Sequence, residues 1–235
     1  MKKYEFTGET KALDNEVALH RIRALRDFGD VKAGDLGGWI ERESNLSHKG
    51  NCWVFDDAWV FGNAEVYGDA LAYGYARVSG YARVYGNARV YGNAEVFGDA
   101  WVYGNVLVSG NAQVFGGAWV FGNALVSGNA QVYGYAQVSG NAQVYGNARV
   151  YGYALVYDYA RVFGDARGYG NAWVFGNARV YGNAEVFGDA WVYGNALVSG
   201  NAQVFGDAWV YGNALVSGNA LVYGYAQVCG NEIMV

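Results

Sequence analysis

Residues 173–198 read WVFGNARVYGNAEVFGDAWVYGNALV. Valine recurs at every sixth position (Val174, Val180, Val186, Val192, Val198), glycine follows two residues after each of the first four, and alanine four residues after. Outward from this stretch the register runs from Val54 to Val228 without an insertion or deletion. Only Ala72 and Gly168 replace the valine, only Val106 replaces the alanine, and only Asp56 and Asp158 replace the glycine. In the unit x-V-x-G-[N/D/Y]-A, the x-V-x triplet is a short strand whose valine points inward and whose neighbours point outward. The G-[N/D] pair is the corner, because both residues reach left-handed backbone at low cost. Alanine follows because only a small side chain fits inside the bend.

Such a unit cannot fold alone, since its strand has no backbone partner and little apolar area. Neighbouring coils must supply both, which makes stability a property of the stack. Thirty hexads at three per coil predict an all-β, three-sided parallel β-solenoid of about ten 18-residue coils, a rod about 48 Å long at about 4.8 Å per layer. Residues 1–48 read as an N-terminal capping element and 49–235 as the solenoid.

The 18-residue period also sorts the outward positions. One face carries Trp101, Trp119, Trp173, Trp191 and Trp209, interrupted by Gln137 and Leu155, with Tyr103, Phe121, Phe175, Tyr193 and Tyr211 beside them. A second repeats L-V-S at Leu107, Leu125, Leu197 and Leu215; a third sets Glu95, Gln113, Gln131, Arg149, Arg167, Glu185 and Gln203 beside aromatics such as Phe97, Phe115 and Tyr133. Residues 89–138 and 179–228 match except at four positions, an offset of five whole coils, as duplication of whole coils would leave it.

The composition, with 36 Gly and no Pro, is far from ordinary globular usage. All five lysines fall within the first 49 residues, and from Asn51 onward seven Arg face twelve Asp and Glu. The rod is mildly acidic, so no nucleic acid partner is expected. No apolar run of spanning length and no signal peptide is present, which predicts a cytoplasmic product with no membrane partner. Cys52 and Cys229 sit at opposite ends of the rod, too far apart for a disulfide.

The repeat resembles the hexapeptide-repeat proteins, whose single-stranded parallel β-helix is left-handed. Glycine here lies two residues after the valine rather than one, a departure from the commonest acyltransferase pattern. More specifically, the leader LHRIRALRDFGDVKAGDLGGWIERESNLS (residues 19–47) followed by G-N-A-x-V units is similar to the YdcK-like β-helix proteins of bacteria and phages. The resemblance implies a strand for Leu19–Phe28, where periodicity alone leaves strand and helix open. Trp39 and Ile40 are candidates to plug the first coil, and the terminal NEIMV either folds over the last coil or forms an interaction surface.

Hexapeptide acyltransferases rely on a histidine base, and carbonic anhydrases of this fold need three histidines for zinc. The chain's two histidines, His20 and His48, both lie in the leader. No catalytic, cofactor-binding or metal-binding residue and no cofactor is therefore expected. The corner acids (Asp69, Asp99, Asp165, Asp189, Asp207) read as turn formers, and the absence of threonine ranks excludes ice binding. What remains is a non-enzymatic scaffold, a homo-oligomer associating through the Trp or Leu face, with virion association compatible with the phage resemblance. The alternatives are a module stacking a glycan or other flat ligand on the Trp/Tyr ladder, and an acyltransferase-type enzyme.

Overall fold

The computed structural model describes residues 2–13 and 17–235. Three parallel sheets wind through the repeats, and each strand pairs with the one 18 residues on, as in Leu107↔Leu125 and Trp173↔Trp191. The all-β, three-sided solenoid read from the hexads is the observed architecture. Each hexad with a coil after it gives its backbone to that coil: Leu107 N donates to Ala124 O (3.0 Å), Ser109 N to Val126 O (2.9 Å) and Asn111 N to Gly128 O (2.7 Å). Without that next coil these groups would lack protein partners. Inside, the valines and alanines form one continuous column of almost wholly buried side chains.

The corners explain two sequence rules, one of them differently from expectation. Glycine is required: Gly176 has φ +67°, and a Cβ there would lie 3.0 Å from the backbone nitrogen of Gly194 in the coil above. Asp56 (φ 51°) and Asp158 (φ 59°) take the same left-handed conformation, and each accepts a backbone N–H of the next coil, from Gly74 and Gly176. Asparagine has another role, for it is not among the residues with positive φ. Its amide donates to the asparagine one coil on, in runs such as Asn87→Asn105→Asn123→Asn141 (2.9–3.1 Å). Two of the three corners carry these ladders; the third, through Tyr81, Asp99, Gly117, Tyr135 and Tyr153, does not repeat the asparagine.

The leader forms β1 (Tyr4–Leu13) and β2 (Val17–Ala24), paired antiparallel, and β3 (Leu36–Ile40). β2 accounts for most of the segment whose periodicity left two readings open. β3 pairs antiparallel with β2 on one side and parallel with Trp59–Val60 on the other. Ile40 is thus an inward side chain of a first coil rather than a plug, and Leu46 bridges in parallel to Val66. Trp53 occupies an outward position of the repeat but is fully buried, because Tyr4 and Phe28 pack edge-on against it. The cap therefore wraps the side of the first coils as well as their end. Gly37 permits it, since a Cβ there would meet Ile22 and Trp53 at 2.6 Å.

Lys3 fastens this wrap. It is fully buried, and its Nζ donates to the Cys52 carbonyl (2.6 Å) and sulfur (3.1 Å) while lying 5.0 Å from the Phe28 ring centroid. At the other end, Ile233–Met234 pairs in parallel with Leu215–Val216. NEIMV continues the solenoid as another strand instead of folding across it.

Candidate functional site

The outward side chains form ladders with a fixed geometry, because in-register parallel strands put identical residues one layer apart. Phe97, Phe115, Tyr133, Tyr151, Tyr169, Phe187, Phe205 and Tyr223 make one unbroken stack, with centroids 4.8–5.4 Å apart. On the tryptophan face the indoles fall into two blocks, Trp101–Trp119 (5.3 Å) and Trp173–Trp191–Trp209 (4.8 and 5.3 Å). Gln137 and Leu155 separate them in the same sheet. The companion row divides likewise, into Tyr67–Tyr85–Tyr103–Phe121 and Tyr157–Phe175–Tyr193–Tyr211. Leu107 pairs with Leu125 and Leu197 with Leu215; between these pairs run Gln143, Arg161 and Arg179.

Stacking decides what these rows can offer. An interior indole such as Trp191 has a neighbour against each face, leaving mainly its edge to solvent. Trp119 and Trp209, each followed one layer on by a glutamine, are the most exposed of the five at 40% and 37%. The four leucines are half-buried. Each row is thus a strip of apolar edges along the rod, well suited to a flat surface and poorly suited to receiving rings between its rungs.

Three outward pairs compensate charge along the ladders, Glu65 beside Arg83 (3.7 Å), Arg77 beside Glu95 (3.9 Å) and Arg167 beside Glu185 (3.3 Å), whereas Arg161 and Arg179 lie in register with like charge on like. Tyr169 donates to Glu185 (3.0 Å), and burial with this bond pushes its phenol up to about 12. Among the described residues no group of three or more His, Cys, Asp or Glu side chains could hold a metal ion, and no helix is long and apolar enough to cross a membrane.

The leader holds a feature that the repeat pattern does not foretell. A cleft of about 500 Å³ lies where the cap meets the first coils, between Glu43–His48 and Glu65–Tyr67. It arises because the first coil is two residues longer than the others: Ile40 and Leu46 pair 20 residues ahead, whereas Val54 pairs 18 ahead. The His48 ring stacks on Tyr4 (4.3 Å), and its Nδ1 accepts the Lys3 backbone N–H (3.2 Å). Nε2 must therefore carry the proton of the neutral ring. Burial, reinforced by Lys2 and Lys3, holds the imidazole below its ordinary pKa against the pull of Glu43. The visible sequence signal was the six-residue spacing of Ile40 and Leu46, followed by eight residues to Val54.

With this geometry in place, comparison with known proteins is direct. The YdcK beta solenoid repeat matches residues 82–104, 118–134, 142–158, 178–194, 190–206, 208–224 and 214–230. Over these segments, a little under half of the chain, the solenoid is similar to the YdcK β-solenoid repeat family. A relative, the uncharacterized acetyltransferase YdcK of Escherichia coli (strain K12), is 43% identical over 63 residues, which cover 24% of this chain and 19% of that protein. The chain thus matches about a fifth of the length of that curated YdcK relative.

Proposed function

We propose that this chain is a non-enzymatic scaffold, a rigid rod that self-associates side by side through its outward Trp or Leu rows. The observation that carries the reading is the pair of apolar strips, each built from two blocks five coils apart and repeated with the same spacing by Trp101/Trp191, Trp119/Trp209, Leu107/Leu197 and Leu125/Leu215. Within each block the apolar side chains are contiguous, and contiguous apolar patches on a protein surface mark association sites. A face about 50 Å long and about 15 Å wide offers about 750 Å² per partner at 4.8 Å per layer, within the range of specific interfaces.

Light scattering over a concentration range tests it. The wild-type chain is expected to show a stable dimer or trimer, and either Trp119→Lys with Trp209→Lys or Leu125→Lys with Leu215→Lys, whichever row is the contact, to yield monomers with unchanged circular dichroism. A strict monomer at all concentrations refutes the reading.

The word acetyltransferase in the relative's name favours a rival, acyl transfer. Its histidine would be His48, which lines the cleft. Acting as a base requires a free lone pair on the ring, and His48 gives its lone pair to the Lys3 N–H. Loss of a reproducible acetyl-coenzyme A-dependent transfer activity on His48→Gln would restore that rival.

A further inference from the structure

The cleft at the cap junction combines three features found together nowhere else among the described residues. Tyr67 is the first rung of its stack: Tyr85 covers one face at 4.7 Å, and among the described residues no ring covers the other. Tyr67 lines the cleft. It thus offers an aromatic face over which only the small Ser47 stands in register, which interior rungs lack. His48 Nε2 is buried and has no hydrogen-bond partner; its nearest carboxylate oxygen, on Glu43, is 3.9 Å away. A buried donor left unpaired is costly, and because Nε2 has almost no surface open to solvent, an acceptor in the cleft meets it only with a small shift of the imidazole or of Glu43. Glu43 and Glu65 supply carboxylate acceptors from opposite sides, and Ser44 and Ser47 add hydroxyls.

The charges narrow the ligand class. Glu43 is paired with Lys2 (2.5 Å) and Glu65 with Arg83 (3.7 Å). The carboxylates keep lone pairs for hydroxyl donors, while their charge is offset at the rim. An anion would meet two carboxylates and a cation would compete with two bases already in place. A neutral ring meets neither cost. Its apolar face can lie on Tyr67 while its hydroxyls donate to Glu43 and Glu65 and one ring or hydroxyl oxygen accepts from His48. The volume of about 500 Å³ is that of a small-molecule site.

We propose that this cleft binds a saccharide unit, with Tyr67 as the stacking platform, Glu43 and Glu65 as hydroxyl acceptors and His48 Nε2–H as the donor. The site is independent of the Trp and Leu rows and does not require the rod to self-associate.

The test is saturation-transfer NMR on the full chain with glucose, galactose, mannose, N-acetylglucosamine, lactose and maltose as probes, followed by titration of any that bind. At least one sugar is expected to bind, Tyr67→Leu and the nearly isosteric Glu65→Gln each to weaken it by about tenfold or more, and Trp209→Ala to leave it unchanged. Circular dichroism establishes that each variant is folded, and Glu65→Gln preserves the test if Tyr67→Leu is not. No binding by any of the six sugars at about 20 mM overturns the proposal. So does undiminished binding by the folded variants, or loss of binding in Trp209→Ala, which would place the ligand on the Trp row.

Discussion

Replacing Gly168 by valine should make this protein more stable. Gly168 stands at an inward position where nearly every other hexad has valine, paired in register with Val150 below and Val186 above. Its φ lies outside the left-handed region, so a side chain meets no backbone strain. A Cβ built there has no heavy atom within 4 Å, which means that the neighbouring valines have not collapsed into the vacancy. Burying a valine side chain contributes about 1.5 to 3 kcal/mol. Removing a glycine from an extended strand adds about 0.5 to 1 kcal/mol by restricting the unfolded chain. Together these give about 2 to 4 kcal/mol, or roughly 4 to 16 °C in Tm for a chain of this size. Thermal unfolding followed by far-ultraviolet circular dichroism measures it, with Gly168→Ala expected to recover a smaller part. A Tm unchanged or lowered in Gly168→Val would refute the reasoning, because it would mean that the interior is already filled at this coil.

Asp158→Gly should be neutral to stabilising by about 1 kcal/mol, since relief of left-handed strain outweighs one exposed hydrogen bond to Gly176 N; a clear fall in Tm would count against that ranking. Asn123→Ala removes one rung from a ladder and both of its side-chain bonds, and should cost about 1 to 2 kcal/mol by urea denaturation. Lys3 gives a pH signature. Burial lowers its pKa below 10.5 in the folded state, so the unfolded chain binds more protons and the lysine's contribution rises with pH from its lowered pKa to 10.5. Cys52 and Tyr4 are raised by burial and act in the opposite sense at high pH, so the comparison must be with Lys3→Met. The stability difference between wild type and Lys3→Met should shift towards the wild type as pH rises towards 10.5, and a flat difference would show that Lys3 is not desolvated.

Much of the fold was legible because one physical rule repeats. A six-residue period fixes which residue points inward, and an 18-residue period in outward residues fixes three strands per coil. The expectation failed where the reason for a residue type lay in the neighbouring coil. Asparagine at the corner reads locally as a turn former, yet it serves as a rung whose partner lies 18 residues away. Trp53 reads as an outward residue, yet the leader covers it. Ile40 and Leu46 follow the hexad spacing but fall out of phase with Val54 by two residues, which hid the first coil and the cleft beside it.

The same contrast explains why function is harder to read than fold. Inward positions admit almost only Val and Ala, so they carry no information beyond the architecture. Function must be carried by the outward positions, where parallel stacking itself rewards identical neighbours: aromatic on aromatic adds about 0.5 to 1.5 kcal/mol per pair, and asparagine on asparagine adds hydrogen bonds. A long uniform row is therefore what stability alone would produce. The informative places are those where a row stops although stacking would favour continuing it. Gln137 and Leu155 break the Trp row, Ser139 breaks the Tyr/Phe row beside it, and Ser47 stands where a ring would cover Tyr67. The first two interruptions separate the two aromatic blocks and set the spacing of the strips. The third leaves an aromatic face without a ring over it beside a histidine with an unused donor.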